Sequence, residues 1–233
     1  MTTEEAELCD RVFQGSIDTR LASKKNVRLI RTNLLSEQGG KLDFVAPYLR
    51  TLYLQRRWGT TTRPTIPPKD FKSFLTGTFT NMNAEAIKNS YSVGTDGRLL
   101  ERAWQMEFYR AALQLLPEDI YISPDAGTCW GLNGYLDFWV DNNRNWAIEL
   151  LRDGSNASGH KDHFEEGGTY EPITEISKEW VTIDIRHPGL RNDPPVYSGD
   201  RHWINVYCQE DWKSVIIEDK DGTVEVSLMG GKM

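Results

Sequence analysis

Two acids stand where strands usually hide apolar side chains. Asp137 lies in "YLDFW" and Glu149 in "AIELL", each inside an otherwise apolar run. Set on adjacent antiparallel strands joined by "DNNRN" (141–145), both acids can face one side of a sheet. Two carboxylates held close repel when both ionise. A divalent cation removes that cost, and Mg²⁺ takes one or two carboxylates together with waters and phosphate oxygens. Arg152 and Asp153 follow the second acid almost directly, and His160 and His163 come next. Imidazoles at i and i+3 suggest a metal, but a zinc site needs a third and a fourth ligand and the sequence marks none nearby, so zinc is the lesser expectation. The competing reading is structural, with Asp137 and Glu149 paired to Arg152 or Arg144.

The elements that must position these residues follow from hydrophobic period. "RLLERAWQMEFYRAALQLLPED" (98–119) repeats apolar residues every three to four positions, and Pro117 ends it, which predicts a long helix. Its acids Glu101 and Glu107 are the candidates for a third carboxylate. The period then shortens. Strands are expected at 120–123, 132–140, 146–152, 179–185, 202–208, 214–219 and 223–228, with Asp221-Gly222 as a hairpin turn between the last two. A short helical or looped segment is expected near 158–170. In the front part, short helices are expected at 3–13, 69–75 and 83–91, and an amphipathic helix at 42–58. Residues 24–35 fit strand or helix equally, and Gly39-Gly40 reads as a break. The division is therefore residues 1–96, mainly helical and basic, and 97–233, an α/β unit.

The order of these segments resembles a known family. "ERAWQMEFYRAA" (101–112), "GYLDFWV" (134–140), "WAIELLRDG" (146–154), "HKDHFEEGGTY" (160–170) and "EWVTIDIR" (179–186) look like the PD-(D/E)XK restriction-endonuclease-like domain found at the C-terminus of Crinkler-type effectors of fungi and oomycetes. The resemblance implies a mixed sheet flanked by helices and a nuclease-like activity that hydrolyses phosphodiester bonds in DNA or RNA. It implies Mg²⁺, with Mn²⁺ as an alternative, held by Asp137, Glu149 and Glu101 (or Glu107), with His160 over the site. The family pattern places lysine two residues after the second acid, and Leu151 stands there. Arg152, His160 or Lys161 would have to take its role. The alternative expectation is an inactive copy of the fold that binds protein or nucleic acid.

Bulk properties narrow the classes. The chain has 233 residues, 39% hydrophobic and 26% charged, as expected of a globular protein. Net charge is −7, but residues 1–75 hold 13 Lys+Arg against 8 Asp+Glu, and the remainder 14 against 26. The basic front part is the expected place for phosphate contacts or a protein partner. No run is long and apolar enough for a membrane span, so no membrane partner is expected. The polar first thirty residues predict no signal peptide and an intracellular location, cytoplasm or nucleus, compatible with a secreted-effector origin. Cys9, Cys129 and Cys208 form no metal-binding pair and read as free thiols. The absence of G-x-S-x-G and of a P-loop argues against a serine hydrolase of that class and an NTPase.

Overall fold

The computed structural model describes residues 2–14, 17–18, 29–30, 34–45, 49, 52–53, 56–57, 63–91, 101–126, 135–190 and 197–230. The chain is mixed α/β, built on a seven-stranded mixed sheet flanked by helices.

Helix α1 (Thr3–Gln14) opens with Glu4 and Glu5, whose charges suit the positive end of the helix dipole. Three short strands follow: β1 (Ile17–Asp18), β2 (Leu35–Gln38) and β3 (Lys41–Phe44), in sheet order β1-β3-β2. Gly39 and Gly40 join β2 to β3 with φ of 57° and 78°. Positive φ at both central positions is what a two-residue hairpin turn requires. The expected break is thus a turn inside a small sheet, and the helix expected from residue 42 begins as a strand. Short lengths and the lack of strict alternation hid these strands from periodicity.

Helix α2 (Phe71–Asn81) is capped by Asp70, whose carboxylate accepts the Ser73 N–H at 2.7 Å. Helix α3 (Ala84–Tyr91) follows, then α4 (Glu101–Leu113), which covers the middle of the expected long helix. The backbone leaves the α-helix at Leu113, four residues before Pro117.

The large sheet is β4 (Ile122–Ala126), β5 (Leu136–Val140), β6 (Trp146–Arg152), β7 (Glu179–Arg186), β8 (Trp203–Cys208), β9 (Ser214–Asp219) and β10 (Gly222–Ser227), neighbours in chain order. β4, β5 and β6 are antiparallel, β7 and β8 run parallel to β6, and β9 and β10 return antiparallel. The β5–β6 turn holds Asn142, Asn143 and Asn145 at positive φ, a region Asn tolerates better than most side chains. The parallel step from β6 to β7 needs a crossover, and two short helices supply it: α5 (Ala157–Asp162) and α6 (Glu171–Ile176). The second is additional to the segment expected near 158–170.

The sheet separates two apolar clusters. The larger takes Phe138, Val140, Ile148 and Leu150 from the central strands, together with α1, β2, β3, α2, α3 and α4. Phe71 and Phe74 of α2 pack on Trp146 of β6 with ring centroids 5.4 and 5.3 Å apart, so this core continues across residue 96. The smaller takes Leu136, Trp139 and Ala147 with Phe164, Tyr170 and Ile173 from the crossover. Cys9 and Cys208 are free and buried. Among the described residues, no helix is long and apolar enough to cross a membrane.

Candidate functional site

β5 and β6 pair through Phe138↔Ile148, Trp139↔Ala147 and Val140↔Trp146. One step further the register would set Asp137 opposite Glu149, and there the ladder stops. Side chains take over the bonding. The Asp137 carboxylate accepts the Leu150 N–H at 2.7 Å, and Glu149 Oε2 accepts the Asp137 N–H at 3.3 Å. Strand alternation breaks at the same place. Leu136 and Trp139 both join the smaller cluster, whereas Phe138 and Val140 join the larger. The acids are thus built into the point where two strands separate. Across the β4–β5 register Asp125 falls opposite Asp137, with φ of 52°. Three acids therefore occupy one backbone row over β4, β5 and β6. Asp125 carries no apolar flank of the kind that marks the other two, and only the register reveals it.

Each acid has further fixed partners. Asp137 Oδ1 accepts the Gln105 side-chain N–H of α4 at 2.7 Å. Gln105 sits among the buried residues of α4, a position that the helical period alone marks as core. Glu149 is 5% exposed, and its Oε1 lies 2.9 Å from His160 Nδ1. His160 comes from α5, so the crossover lowers an imidazole onto the strand acid. His163, at the end of the same helix, joins them. Glu149, His160 and His163 each present a ligand atom within 4.8 Å of the others. His163 Nδ1 is buried with no hydrogen-bond partner among the described residues. The Tyr170 ring meets His163 edge-on at 5.0 Å, and the Tyr170 N–H donates to the His163 carbonyl at 2.7 Å. Burial pushes the Tyr170 hydroxyl above its ordinary value, and the charges of Glu149 and Asp137 push it the same way. Its O–H donates to the Tyr135 carbonyl at 2.7 Å.

The turn between these helices depends on Gly168. A Cβ there would stand 2.3 Å from the Asp162 carbonyl oxygen and 2.5 Å from that of His163. No side chain fits that space without moving the backbone that carries His163.

The other expected residues are placed as follows. Glu107 is 7% exposed and turned into the fold, with Arg110 on its carboxylate and the Asn83 N–H donating to it at 2.5 Å. It is a structural acid and does not reach Asp137 or Glu149 through these contacts. Glu101 opens α4, and its side chain lies outside the described residues. β6 pairs with β7 without interruption through Arg152↔Ile185. Alternation therefore puts Arg152 on the face of Ile148 and Leu150, opposite Glu149. Leu151 is 3% exposed, a buried apolar side chain where the family pattern has lysine. Lys161 ion-pairs with Asp200 at 2.6 Å and lies over the Tyr197 ring at 4.5 Å, so its charge is engaged by Asp200. Arg144 stacks over Trp146 at 5.2 Å at the far end of β6.

A second polar cluster occupies the C-terminal ends of β6 and β7. Asp184 is fully buried, accepting the Gly154 N–H and the Arg186 Nε–H, each at 2.8 Å. Burial pushes Asp184 above the usual carboxylate range, opposed by those two donors. Beside it, Asp153 accepts the His187 N–H and contacts His187 Nδ1, both at 3.0 Å. These residues read as ordinary strand and loop in the sequence, because β7 is buried on both faces and its polar members carry no distinguishing period.

Comparison of the chain with family models, with curated proteins and with solved structures finds no match. The site's own donor chemistry is therefore the test of which cation it suits. Mg²⁺ favours an all-oxygen shell. The carboxylate pair supplies oxygens, but each of the four already accepts or contacts a donor: Gln105, Leu150 N–H, Asp137 N–H or His160. The three-residue group adds two nitrogens to one carboxylate and omits Asp137. A divalent cation suits this set, and one that accepts nitrogen suits it better than Mg²⁺ does.

Proposed function

We propose that the chain is a cation-dependent nuclease-like domain that hydrolyses phosphodiester bonds in DNA or RNA, on the restriction-endonuclease-like plan of Crinkler-type effectors. The observation that carries this reading is Glu149: a carboxylate 5% exposed, at the opening of the β5–β6 ladder, between the Asp137 backbone and His160. The succession of α4, antiparallel β4–β6, a helical crossover and parallel β7 agrees with the mixed sheet flanked by helices that the resemblance implies.

A bound divalent ion, Mg²⁺ or Mn²⁺ on the family pattern, would supply a water acidified for attack and charge opposite the phosphoryl oxygens. The chain's residues supply the rest. Gln105 and the Leu150 N–H fix the direction of Asp137. Glu149 orients the His160 ring through Nδ1 and so fixes the direction of the imidazole over the acids. The basic residues of the front part are the proposed contacts for the nucleic-acid backbone or for a protein partner.

The test is incubation of plasmid DNA and of RNA with each of several divalent cations, beside Glu149→Gln. The expected result is cleavage of one substrate that falls at least ~100-fold in the variant, the scale on which such charged groups act. Absence of cleavage with every cation, or equal cleavage by the variant, overturns it. Two observations favour a second reading, a binding module without catalysis: Leu151 is buried in the lysine position, and Lys161 is held by Asp200. Salt-dependent nucleic-acid binding by a protein that never cleaves would support that reading instead.

A further inference from the structure

We propose that Glu149, His160 and His163 form a site for a borderline transition-metal ion of the Zn²⁺ class, a cofactor different in kind from the Mg²⁺ that the acid pair suggests. The proposal deepens the hydrolytic reading, on which it rests only for the ion's role in a reaction; binding of the ion is decided separately.

Three observations lead there. The first is composition. One carboxylate and two imidazoles are the ligand types of three-residue catalytic zinc sites, which leave a fourth position open to water or substrate. Mg²⁺ gains little from nitrogen donors, whereas Zn²⁺ binds imidazole well.

The second is spacing. Donor atoms on one tetrahedral Zn²⁺ at about 2.0–2.1 Å stand roughly 3.3 Å apart. Glu149 Oε1 and His160 Nδ1 are already 2.9 Å apart, and all three donors lie within 4.8 Å of one another. Small rotations of the side chains bring the set to binding distance without moving a strand.

The third is the state of His163. Its Nδ1 is buried and has no hydrogen-bond partner among the described residues. A buried polar nitrogen left unpaired destabilises the fold around it. Coordination through Nδ1, one of the two nitrogens His163 can offer, would remove that cost. The surroundings are those of a supported ligand set. The second oxygen of Glu149 is held by the Asp137 N–H, and the His163 backbone is pinned by Tyr170 at a corner that admits only glycine at 168.

The test is isothermal titration of the untagged, chelator-treated full chain with Zn²⁺, Co²⁺, Mn²⁺ and Mg²⁺, with the visible spectrum of bound Co²⁺ as a second readout. The expected result is one Zn²⁺ per chain, bound at least ~100-fold more tightly than Mg²⁺, and a Co²⁺ spectrum of low coordination number. His163→Ala and His160→Ala should each weaken Zn²⁺ by ~10-fold or more. Asp137→Asn, which leaves the three ligands in place, should retain Zn²⁺ within a few-fold. Far-ultraviolet circular dichroism confirms that the variants are folded, and His163→Asn is the substitute if the alanine variant is not. Equal affinity for Zn²⁺ and Mg²⁺, or Zn²⁺ binding that survives both histidine changes, overturns the proposal. Zn²⁺ binding without cleavage would leave this site standing and remove the nuclease reading. Cleavage with Mg²⁺ and no selective Zn²⁺ binding would do the reverse.

Discussion

Asp137→Asn separates a functional acid from a structural one, and its effect on stability can be worked from the contacts. Asp137 accepts the Leu150 N–H and the Gln105 Nε2–H, each at 2.7 Å. An asparagine oxygen can keep the Leu150 bond, the one whose donor cannot turn. Its amide nitrogen then faces Gln105, which restores a bond by rotating its own amide to present oxygen. What is lost is the extra strength of a charged acceptor, about 1 kcal/mol over two bonds. What is gained is relief from the Glu149 charge across the strand, on the order of 1 kcal/mol or more at close range. The expected net change is within about 1 kcal/mol of zero. Asp137→Ala differs, because it strands both donors in a partly buried place and should cost about 2–4 kcal/mol. Urea unfolding without cations gives both numbers, and cleavage assays on the same preparations give the functional effect. Both variants should lose cleavage by at least ~100-fold. Destabilisation of Asp137→Asn by more than ~3 kcal/mol would refute the reasoning, since the charge itself would then be holding the fold. So would wild-type cleavage by a stable Asp137→Asn.

Three further outcomes are expected. Arg186→Leu should cost about 3–5 kcal/mol in urea unfolding, because it leaves the fully buried Asp184 carboxylate with the Gly154 N–H but without its cation; the paired change Asp184→Leu/Arg186→Leu should cost clearly less, and equal losses would argue against a coupled pair. Gly168→Ala should destabilise by roughly 1–3 kcal/mol through backbone overlap and weaken metal binding at His163, whereas Gly167→Ala, open in space but at φ of 77°, should cost only ~1 kcal/mol and leave binding intact; similar binding defects in both would contradict the steric account. The third concerns pH. Burial alone would push Asp200 up, but Lys161 and the His202 N–H hold it below the usual carboxylate range, and Asp200 holds Lys161 above its ordinary value. A lowered carboxyl contributes stability that is present above its unfolded pKa of ~3.9 and is lost as pH falls through the folded value; the raised lysine contributes below ~10.4 and loses that as pH rises through its own. Lys161→Met should therefore unfold at lower urea than wild type at pH 7, with the gap closing as pH falls through the lowered folded value of Asp200, and a gap that persists once that carboxyl is protonated would refute the assignment.

Much of the sheet was legible because its strands are regular and apolar. β6 and β9 begin and end where the sequence placed them, since Trp146–Arg152 and Ser214–Asp219 are bounded by turn residues on both sides. The small front sheet was not legible, because four-residue strands around Gly39-Gly40 give too few periods to count. Helix α6 escaped for the same reason, with six residues and a proline in its first turn. Of the site, Asp137 and Glu149 could be read because an acid inside an apolar run is costly and therefore informative. The partners of Glu149 could be read only in part. His160 was visible as a histidine on the next segment, but that His163 meets it at Glu149 depends on how α5 folds back beneath Tyr170. Gln105 had no signal of its own, since its bond to Asp137 spans 32 residues. Glu107 misled because helix acids look alike until a buried Arg110 is found beside one of them.

The halted ladder between β5 and β6 has a use at the bench. The Leu150 amide is paired with a carboxylate instead of a neighbouring strand. Its nitrogen chemical shift and its rate of exchange with heavy water are therefore set by the charge on Asp137. Any ligand that draws electron density from that carboxylate will shift this resonance together with the Gln105 side-chain amide, far more than the amides of the paired residues Trp146–Ile148. The protein thus carries an internal indicator of what sits beside its acids, readable by nuclear magnetic resonance without a substrate, a label or a turnover assay.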